Sequence, residues 1–251
     1  MELVILGSGT IVPSVSRSAS AYTVRVGGKT ILMDLGPGTL RRMKEAKIEI
    51  PDVDLILFSH FHPDHTSDFV PFIFASKYAI GSYRTKELKI LAPLGFGDFF
   101  AGLIEVYGDW IVPEGYDISV EEITEGRADF VDFSVTTKKV VHNPESIAFR
   151  IEGGGGSLVY SGDTDWSEGL ISLAKDADVL LLECSFPDDM KVDGHMTPTE
   201  AGRTAERSGV KRLVLTHFYP PMEDVDIEMV VGKEFGGEIV VARDLMIIDT
   251  R

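Results

Sequence analysis

The sequence predicts an α/β (α+β) fold in which two β-sheets pack face to face and helices cover their outer sides. Each half of the chain begins with short strand-like segments, and each half then alternates strands with helices. The apolar runs are strand-sized and fall short of the roughly 20 residues that span a bilayer. With 251 residues, 44% of them hydrophobic, the chain can bury its own core, and we predict a single domain over residues 1–251.

The first half opens with strands because apolar and β-branched residues alternate there and glycines separate them. The pair Gly27-Gly28 closes a hairpin, and the run Asp34-Leu35-Gly36-Pro37-Gly38 stops a strand ahead of a helix. The predicted strands are Glu2–Leu6, Ala21–Val26, Thr30–Asp34, Asp54–Ser59 and Leu88–Ala92. The predicted helices are Leu40–Lys47, Thr66–Ile80 and Gly95–Tyr107.

The second half repeats this order of elements. Its first strands are predicted at Asp117–Ile123, Phe130–Val141, Ile147–Glu152 and Ser157–Tyr160, with Gly153–Gly156 as a flexible turn. Later strands are predicted at Asp178–Glu183, Arg212–Thr216, Glu238–Val241 and Leu245–Ile248. Helices are predicted at Thr197–Ser208 and around Asp224–Glu234.

The charge balance weighs against a dedicated nucleic-acid binder. The chain has 24 basic and 40 acidic residues, a net charge of −16, and such a surface repels a long polyanion. A small anionic substrate remains compatible, because bound divalent metals make an active site locally positive. The single cysteine, Cys184, fits a reducing compartment, and the N-terminal apolar segment Leu3–Leu6 has no basic leader, so we predict a cytoplasmic protein without membrane association.

The run His60-Phe61-His62-Pro63-Asp64-His65 carries the strongest chemical signal. Two histidines at a spacing of two point the same way only on an extended backbone, and Pro63 argues against a helix through the cluster. The run is therefore predicted to end a strand, open into a loop and enter a helix at Asp64 and His65. Imidazole and carboxylate ligands together suit zinc, with manganese or iron as alternatives. A bound ion also lowers the pKa of its water to about 7, as metal-dependent hydrolysis requires.

Four further residues lie where loops meet predicted strands: His142, Asp163, His195 and His217. Asp163 follows a strand in Ser161-Gly162-Asp163-Thr164, where a carboxylate can be presented at a sheet edge. Taken alone, this aspartate is more typical of a turn or helix-capping residue than of a metal ligand.

Taken in order, these motifs resemble the signature of the metallo-β-lactamase superfamily, whose fold is a four-layer αβ/βα sandwich with metals at the rim between the sheets. The resemblance spans nearly the whole chain and implies two divalent metal ions. By resemblance, one ion is held by His60, His62 and His142, and the second by Asp64, His65 and His217. Asp163 and a hydroxide would bridge both ions, and Asp34 matches a position that supports a ligand histidine.

Smaller features resemble ribonuclease Z and its phosphodiesterase relatives. They are Gly7-Ser8-Gly9-Thr10, Pro13, Arg17, and Glu183 followed by Gly194-His195-Met196-Thr197. The resemblance implies that His195, oriented by Glu183, contacts the phosphate and helps to protonate the leaving oxygen, and that Asp64 serves catalysis as well as metal binding. Without the resemblance, His195 and Glu183 are a loop histidine and a strand-end carboxylate.

Two departures from ribonuclease Z favour a small substrate over transfer RNA. Only residues 143–162 separate His142 from Asp163, too few for the long arm with which those enzymes grip transfer RNA. After His217 the chain continues Phe218-Tyr219-Pro220-Pro221, where that family usually has an arginine. The expected activity is therefore hydrolysis of small phosphodiesters or nucleotides by a metal-bridging hydroxide.

Several alternatives remain open at this stage. A ribonuclease Z-type RNA endonuclease and a lactonase or thioesterase would use the same hydroxide, and a metal-binding relative without catalysis would keep the same ligands. An oxygen-reducing di-iron protein is disfavoured, since that branch usually replaces the residue at His62 with glutamate and adds a flavin domain. Phe61, Phe186, Phe218 and Tyr219 either shape the pocket or belong to the core. Many members of the superfamily are dimers, so a homodimer is an open expectation.

Overall fold

The computed structural model describes residues 1–81 and 83–250, and its strands form two sheets of seven. The strands of the first sheet span Glu2–Gly7 (β1), Ala21–Val26 (β2), Lys29–Met33 (β3), Val53–Leu57 (β4), Leu88–Ala92 (β5), Ile118–Glu122 (β6) and Ile247–Asp249 (β14). Those of the second sheet span Gly126–Asp129 (β7), Phe133–Lys139 (β8), Ile147–Gly153 (β9), Gly156–Tyr160 (β10), Val179–Glu183 (β11), Arg212–Thr216 (β12) and Glu238–Val241 (β13).

Each sheet has an antiparallel part and a parallel part. The first sheet has the order β14-β1-β2-β3-β4-β5-β6, and its pairs are antiparallel up to β2–β3 and parallel from β3–β4 onward. The second sheet has the order β13-β12-β11-β10-β9-β8-β7, and its pairs are antiparallel from β7 to β10 and parallel from β10 to β13. Helices in the crossovers produce the parallel part of each sheet, which confirms the predicted two-halved α/β sandwich.

The helices occupy the outer layers. They span Thr39–Glu45 (α1), Pro63–Thr66 (α2), Phe69–Tyr78 (α3), Phe96–Tyr107 (α4), Glu168–Leu173 (α5), Pro198–Ser208 (α6) and Ile227–Val231 (α7), and short 3₁₀ turns cover Ile50–Asp52, Gly108–Ile111, Asp188–Met190 and Pro220–Asp224. Local chemistry sets the ends of α6. Thr197 and Glu200 form a capping box at its start, and Gly209 ends it at a φ of 67°.

The core lies between the two sheets, and a second apolar layer lies under the helices on each side. Along β11, Leu181 packs into the inter-sheet core while Leu180 and Leu182 pack beneath the outer helices. Successive side chains of a strand point to opposite faces, so a strand covered on both sides is apolar throughout. The apolar run from Val179 to Leu182 therefore marks a central parallel strand, and Glu183 at its end reaches the rim of the sandwich.

The structure corrects several boundaries from the sequence. The helix predicted at Thr66–Ile80 is the shorter α3, and α2 ends at Thr66 as a separate helix. The helix predicted around Asp224–Glu234 is reduced to α7, which follows a 3₁₀ turn that ends at Asp224. The strand predicted at Phe130–Val141 is shorter, and β7 and α5 were missed. Both missed elements are short, with six residues or fewer, so their periodic signal is weak. Within residues 1–81 and 83–250, no helix has the length and apolar character needed to cross a membrane.

We expect opposite effects on stability from alanine at two glycines. A Cβ at Gly36 would lie 2.0 Å from the backbone oxygen of Asp64, whereas a Cβ at Gly102, inside α4, would meet no atom within 4 Å. Gly36→Ala should lower the free energy of unfolding by about 1–3 kcal/mol through overpacking. Gly102→Ala should raise it by roughly 0.5–1 kcal/mol through helix propensity. Urea denaturation of the metal-free protein measures both, and equal effects would contradict the close approach at Gly36.

Candidate metal centre

Histidine and aspartate side chains from both sheets converge at one rim of the sandwich. His60 follows β4, Asp163 follows β10 and His217 follows β12, and all three strands run parallel to a neighbour. The carboxyl ends of parallel strands meet at the same edge of a sheet, so residues far apart in the chain become neighbours. His142 joins them from the loop between β8 and β9.

The histidine run takes the predicted path from extended backbone into a helix. His62 is extended, with φ −61° and ψ 149°, and Pro63 begins α2. Proline suits the first position of a helix because its missing N–H would be unpaired there in any case. The backbone N–H of His65 and the hydroxyl of Thr66 both donate to the His62 carbonyl at 3.0 Å, which holds Asp64 and His65 in this short helix.

The first group of candidate ligands consists of His60, His62, His142 and Asp163, which each offer one ligand atom, and these four atoms lie within 4.8 Å of one another. His142 Nε2 is 3.2 Å from His62 Nδ1. Asp163 Oδ2 lies 3.8 Å from His60 Nε2 and 3.9 Å from His142 Nε2. This group unites the three histidines that the sequence assigned to one metal.

The second group consists of Asp64, His65 and His217. His65 Nε2 lies 3.4 Å from His217 Nε2, which in turn lies 3.5 Å from Asp64 Oδ2. Asp163 faces this group as well, since its Oδ1 is 3.2 Å from His65 Nε2 and 3.4 Å from His217 Nε2. The two oxygens of Asp163 therefore face different groups of candidate ligands.

Hydrogen bonds at Nδ1 determine which nitrogen of four histidines faces the centre. His65 donates from Nδ1 to Asp34 at 2.7 Å, and His142 donates from Nδ1 to the Gly194 carbonyl at 2.9 Å. The Ser59 hydroxyl donates to Asp34 and so accepts from His60 Nδ1 at 3.0 Å. Each of these three histidines keeps Nε2 free to bind a cation.

Two more contacts complete the orientation of the histidines. The Ser185 hydroxyl donates to Glu183 and so accepts from His217 Nδ1 at 2.9 Å, which leaves His217 Nε2 free. His62 is turned the other way, because the Asn143 amide lies 2.9 Å from its Nε2 and its Nδ1 faces His142. Sequence reasoning missed Ser59, Asn143, Tyr160 and Ser185 as supporting residues, and their residue types carry no signal of their own.

The electrostatics suit cation binding. Burial, together with the neighbouring imidazoles, lowers the pKa of His60 well below its usual value, so this histidine is neutral. Burial opposes ionisation of Asp64 and Asp163, but His65 and His217 outweigh it and lower the pKa of both carboxyls. Burial likewise opposes the charged form of His65, but Asp163 and Asp34 raise its pKa well above its usual value, so a cation would displace a proton there.

The buried polar atoms at this rim fit a metal better than they fit one another. Among the described residues, His60 Nε2 and Asp163 Oδ1 are buried and lack a hydrogen bond of acceptable geometry. An unpaired buried polar atom is costly and is rare in native proteins. The neutral imidazoles and ionised carboxylates are the ligands that zinc and similar divalent ions prefer, so the residues present fit such ions.

His195 and Glu183 stand beside the two groups, and His195 also forms a third group of possible ligands with Asp163 and His217. Glu183, buried at the end of β11, accepts from His195 Nδ1 at 3.0 Å, from the Thr164 backbone N–H at 2.6 Å and from the Met196 backbone N–H at 3.2 Å. Burial lowers the pKa of His195, but the hydrogen bond and charge of Glu183 more than offset it and raise the pKa to about 9. In the metal-free protein His195 is therefore protonated at neutral pH. Its Nδ1 also lies 3.9 Å from Asp163, but the bond to Glu183 makes it poorly available to a metal.

The fold and this rim define a class of protein, the metal-dependent hydrolases built on a four-layer αβ/βα sandwich. The family model of the β-lactamase superfamily domain matches residues 29–218. The chain therefore belongs to the metallo-β-lactamase superfamily.

Relatives of the chain include ribonucleases and a metallo-hydrolase. It is 29% identical to ribonuclease Z of Mycobacterium bovis, with 98% of this chain and 96% of the relative covered. It is 28% identical to the probable metallo-hydrolase YhfI of Bacillus subtilis, with 97% of each covered. The crystal structure of YhfI superimposes with a TM-score of 0.84 at 25% identity, covering 98% of each chain. The short form of human tRNase Z has a TM-score of 0.83 at 24% identity, with both chains fully covered, and supports the fold.

The carboxylate of Asp34 offers a test of how the rim is held together. It is fully buried and accepts from the Ser59 N–H at 2.8 Å, the Ser59 hydroxyl at 2.7 Å, His65 Nδ1 at 2.7 Å and the Tyr160 hydroxyl at 2.6 Å. Asp34→Asn puts an NH₂ against these donors and should lower the free energy of unfolding by roughly 2–4 kcal/mol. Tyr160→Phe removes a single donor and should lower it by about 1 kcal/mol. Urea denaturation of metal-free protein compares the two, and a larger loss in Tyr160→Phe would contradict this order.

Proposed function

We propose that this protein hydrolyses small phosphodiesters or nucleotides at a centre of two divalent metal ions. The observation that carries the proposal is His195, an imidazole held through Nδ1 by the buried carboxylate of Glu183 beside two groups of candidate metal ligands. The arrangement combines a site for cations with a separate proton donor, and hydrolysis of an ester with a poor leaving group needs both.

In this proposal His60, His62 and His142 hold one ion, Asp64, His65 and His217 hold the other, and Asp163 contacts both. Zinc is the first candidate, with manganese or iron as alternatives. Bound ions would supply a water of lowered pKa and would neutralise charge on the phosphoryl oxygens. The histidine rings are held in place by hydrogen bonds, so that little reorganisation is needed when ions bind. The partners in these bonds are Asn143, Ser59, Ser185, Asp34 and Gly194.

His195 carries the proton that the leaving group needs. Its Nδ1 is engaged by Glu183, so Nε2 is the nitrogen that faces a bound ester. Water adds its oxygen to phosphorus, the bond from phosphorus to the leaving oxygen breaks, and that oxygen takes the Nε2 proton of His195. The products are a phosphomonoester and an alcohol, and His195 regains a proton from the water that was consumed.

The substrate is small in this proposal because the chain offers little to hold RNA. Residues 143–162, between His142 and Asp163, contain the β9–β10 hairpin, which pairs within the second sheet and leaves no room for a projecting arm. The net charge of −16 opposes a long polyanion. RNA cleavage is the second candidate, favoured by the 29% identity to a ribonuclease Z over nearly the whole chain. We further propose that residues 1–251 act as one domain in the cytoplasm.

We expect purified protein to contain close to two transition-metal ions per chain after expression with zinc or manganese. Replacing Asp163 by Ala removes the residue shared by both groups and should reduce this number to about one or less. Asp193→Asn, an exposed carboxylate in the loop before His195, is the control and should retain both ions. Plasma emission spectrometry gives the count, and a number near zero in the parent protein would contradict the ligand assignment.

We expect His195→Ala to slow hydrolysis in a way that depends on the leaving group. For a methyl phosphodiester with an alkyl alcohol as leaving group, kcat should fall about 10²–10⁴-fold, the usual contribution of a general acid. For a nitrophenyl leaving group, which departs without a proton, the loss should be less than about tenfold. Asp193→Asn again serves as control, and equal losses on both substrates would contradict the acid role.

The choice between substrates requires a direct comparison. The metal-loaded protein should be assayed on a bis-aryl phosphodiester, a cyclic nucleotide, a transfer-RNA precursor, a homoserine lactone and a chromogenic β-lactam. Cleavage of the two small phosphodiesters well above the others is expected. Activity confined to the carbonyl substrates would overturn the proposal, and preferential cleavage of the RNA would favour the second candidate.

A further inference from the structure

Two aromatic rings lie side by side at the rim, next to the proposed proton donor. Phe186 comes three residues after Glu183, and Tyr219 comes two residues after His217. Their ring centroids are 4.5 Å apart and their planes are only 20° apart, so the rings are stacked. Both side chains are partly exposed, unlike the neighbouring Phe218, which is buried. A stacked pair left open to solvent presents aromatic surface to a ligand.

The pair is fixed to the proton donor on one side. The Phe186 centroid lies 5.7 Å from that of His195 at an interplanar angle of 63°, and Tyr219 lies 5.9 Å away at 69°. The Tyr219 backbone N–H also donates to the Ser185 carbonyl at 3.3 Å, which ties the two loops together. A group bound next to His195 would therefore lie alongside these two rings.

Two basic side chains beside these loops are already engaged by other groups. Arg17 donates to the Ser8 hydroxyl at 2.6 Å and the Ala242 carbonyl at 2.8 Å, and it lies over the Phe218 ring. Lys191 is held by Asp165 at 2.7 Å, by Glu200 at 2.6 Å and by the His195 carbonyl at 2.6 Å. The charge of Lys191 is paired with two carboxylates, and Arg17 is held by the Ser8 hydroxyl and the Ala242 carbonyl. The surface that Phe186 and Tyr219 present to a leaving group is aromatic.

We propose that Phe186 and Tyr219 form a stacking platform that selects phosphodiesters whose leaving group carries a flat aromatic ring, such as an aryl alcohol or a nucleoside. This inference rests on the proposed phosphodiester hydrolysis and adds its specificity. Stacking on one aromatic side chain contributes on the order of tenfold in binding, and it tolerates different rings because every ring has a π-face. An aliphatic leaving group of the same acidity gains less from the platform.

The test compares two methyl phosphodiesters whose leaving groups match in acidity but differ in shape, phenol and a fluorinated propanol. The measured quantity is the ratio of kcat/KM for the phenyl ester to kcat/KM for the fluoropropyl ester. Phe186→Leu and Tyr219→Leu should each lower this ratio by about tenfold, and Tyr219→Phe, which retains the ring, should leave it within about twofold of the parent value. Using a ratio removes any general loss of activity from the comparison.

Phe74→Leu is the matched control. Phe74 is 43% exposed and its ring lies 4.7 Å from that of Tyr78, so it belongs to another solvent-exposed aromatic pair, on α3. The ratio should be unchanged in this variant. A parent ratio near one, a ratio unaffected by both leucine substitutions, or an equal fall in Phe74→Leu would each overturn the platform.

The same experiment distinguishes failure of the proposed function from failure of the stacking platform. If the parent protein hydrolyses neither diester, the proposed phosphodiester hydrolysis is wrong. The stacking platform is then tested by ligand binding alone. Calorimetry on metal-loaded protein then compares phenylphosphonate with cyclohexylphosphonate, two probes of similar size and charge. Tighter binding of the phenyl compound that is lost in Phe186→Leu supports the platform, and equal affinities in the parent protein overturn it.

Discussion

The carboxylate of Asp34 is the interaction on which the rest of the metal centre depends. It accepts hydrogen bonds from Ser59 and His65, which belong to the first half of the chain, and from Tyr160, which belongs to the second. Because it is completely buried, each donor it loses would leave an unpaired polar group away from water. One acceptor therefore links the two sheets and also orients a candidate ligand.

The backbone is strained at two residues of the same rim, which shows that tertiary contacts override the local conformational preference of these residues. Asp34 has a φ of 54° and His217 a φ of 59°, both in the left-handed region that non-glycine residues seldom adopt. Such a conformation costs of order 1–3 kcal/mol and persists only where surrounding contacts impose it. Here the hydrogen bonds of Asp34 to Ser59 and of His217 to Ser185 impose it. The strain is located directly after β3, where Asp34 supports a candidate ligand, and directly after β12, where His217 is itself a candidate ligand.

The charge distribution explains how an acidic protein can handle an anionic ester. The net charge of the chain is −16, which opposes large polyanions, while the rim gathers histidines and carboxylates that fit cations. In the proposed function, bound divalent ions would make this rim locally positive, so that a small phosphodiester can bind there. The stacked rings of Phe186 and Tyr219 add recognition that requires no charge.

By itself the sequence determined the two-halved α/β sandwich, the extended-to-helical path from His60 to His65, and the set of seven metal-ligand candidates. The sandwich and the path follow from local periodicity, proline and residue chemistry, which act over a few positions. The complete ligand set came from the resemblance of the ordered motifs to the metallo-β-lactamase superfamily. Only the tertiary structure decided which nitrogen of each histidine faces the centre. It also placed Asp163 between the two groups of candidate ligands and gathered the hydrogen-bond donors around Asp34. These arrangements depend on contacts such as Asn143 to His62 and Tyr160 to Asp34, between residues 81 and 126 positions apart. Polar contacts at that separation are set by sheet packing, and the residue types involved carry no periodic signal.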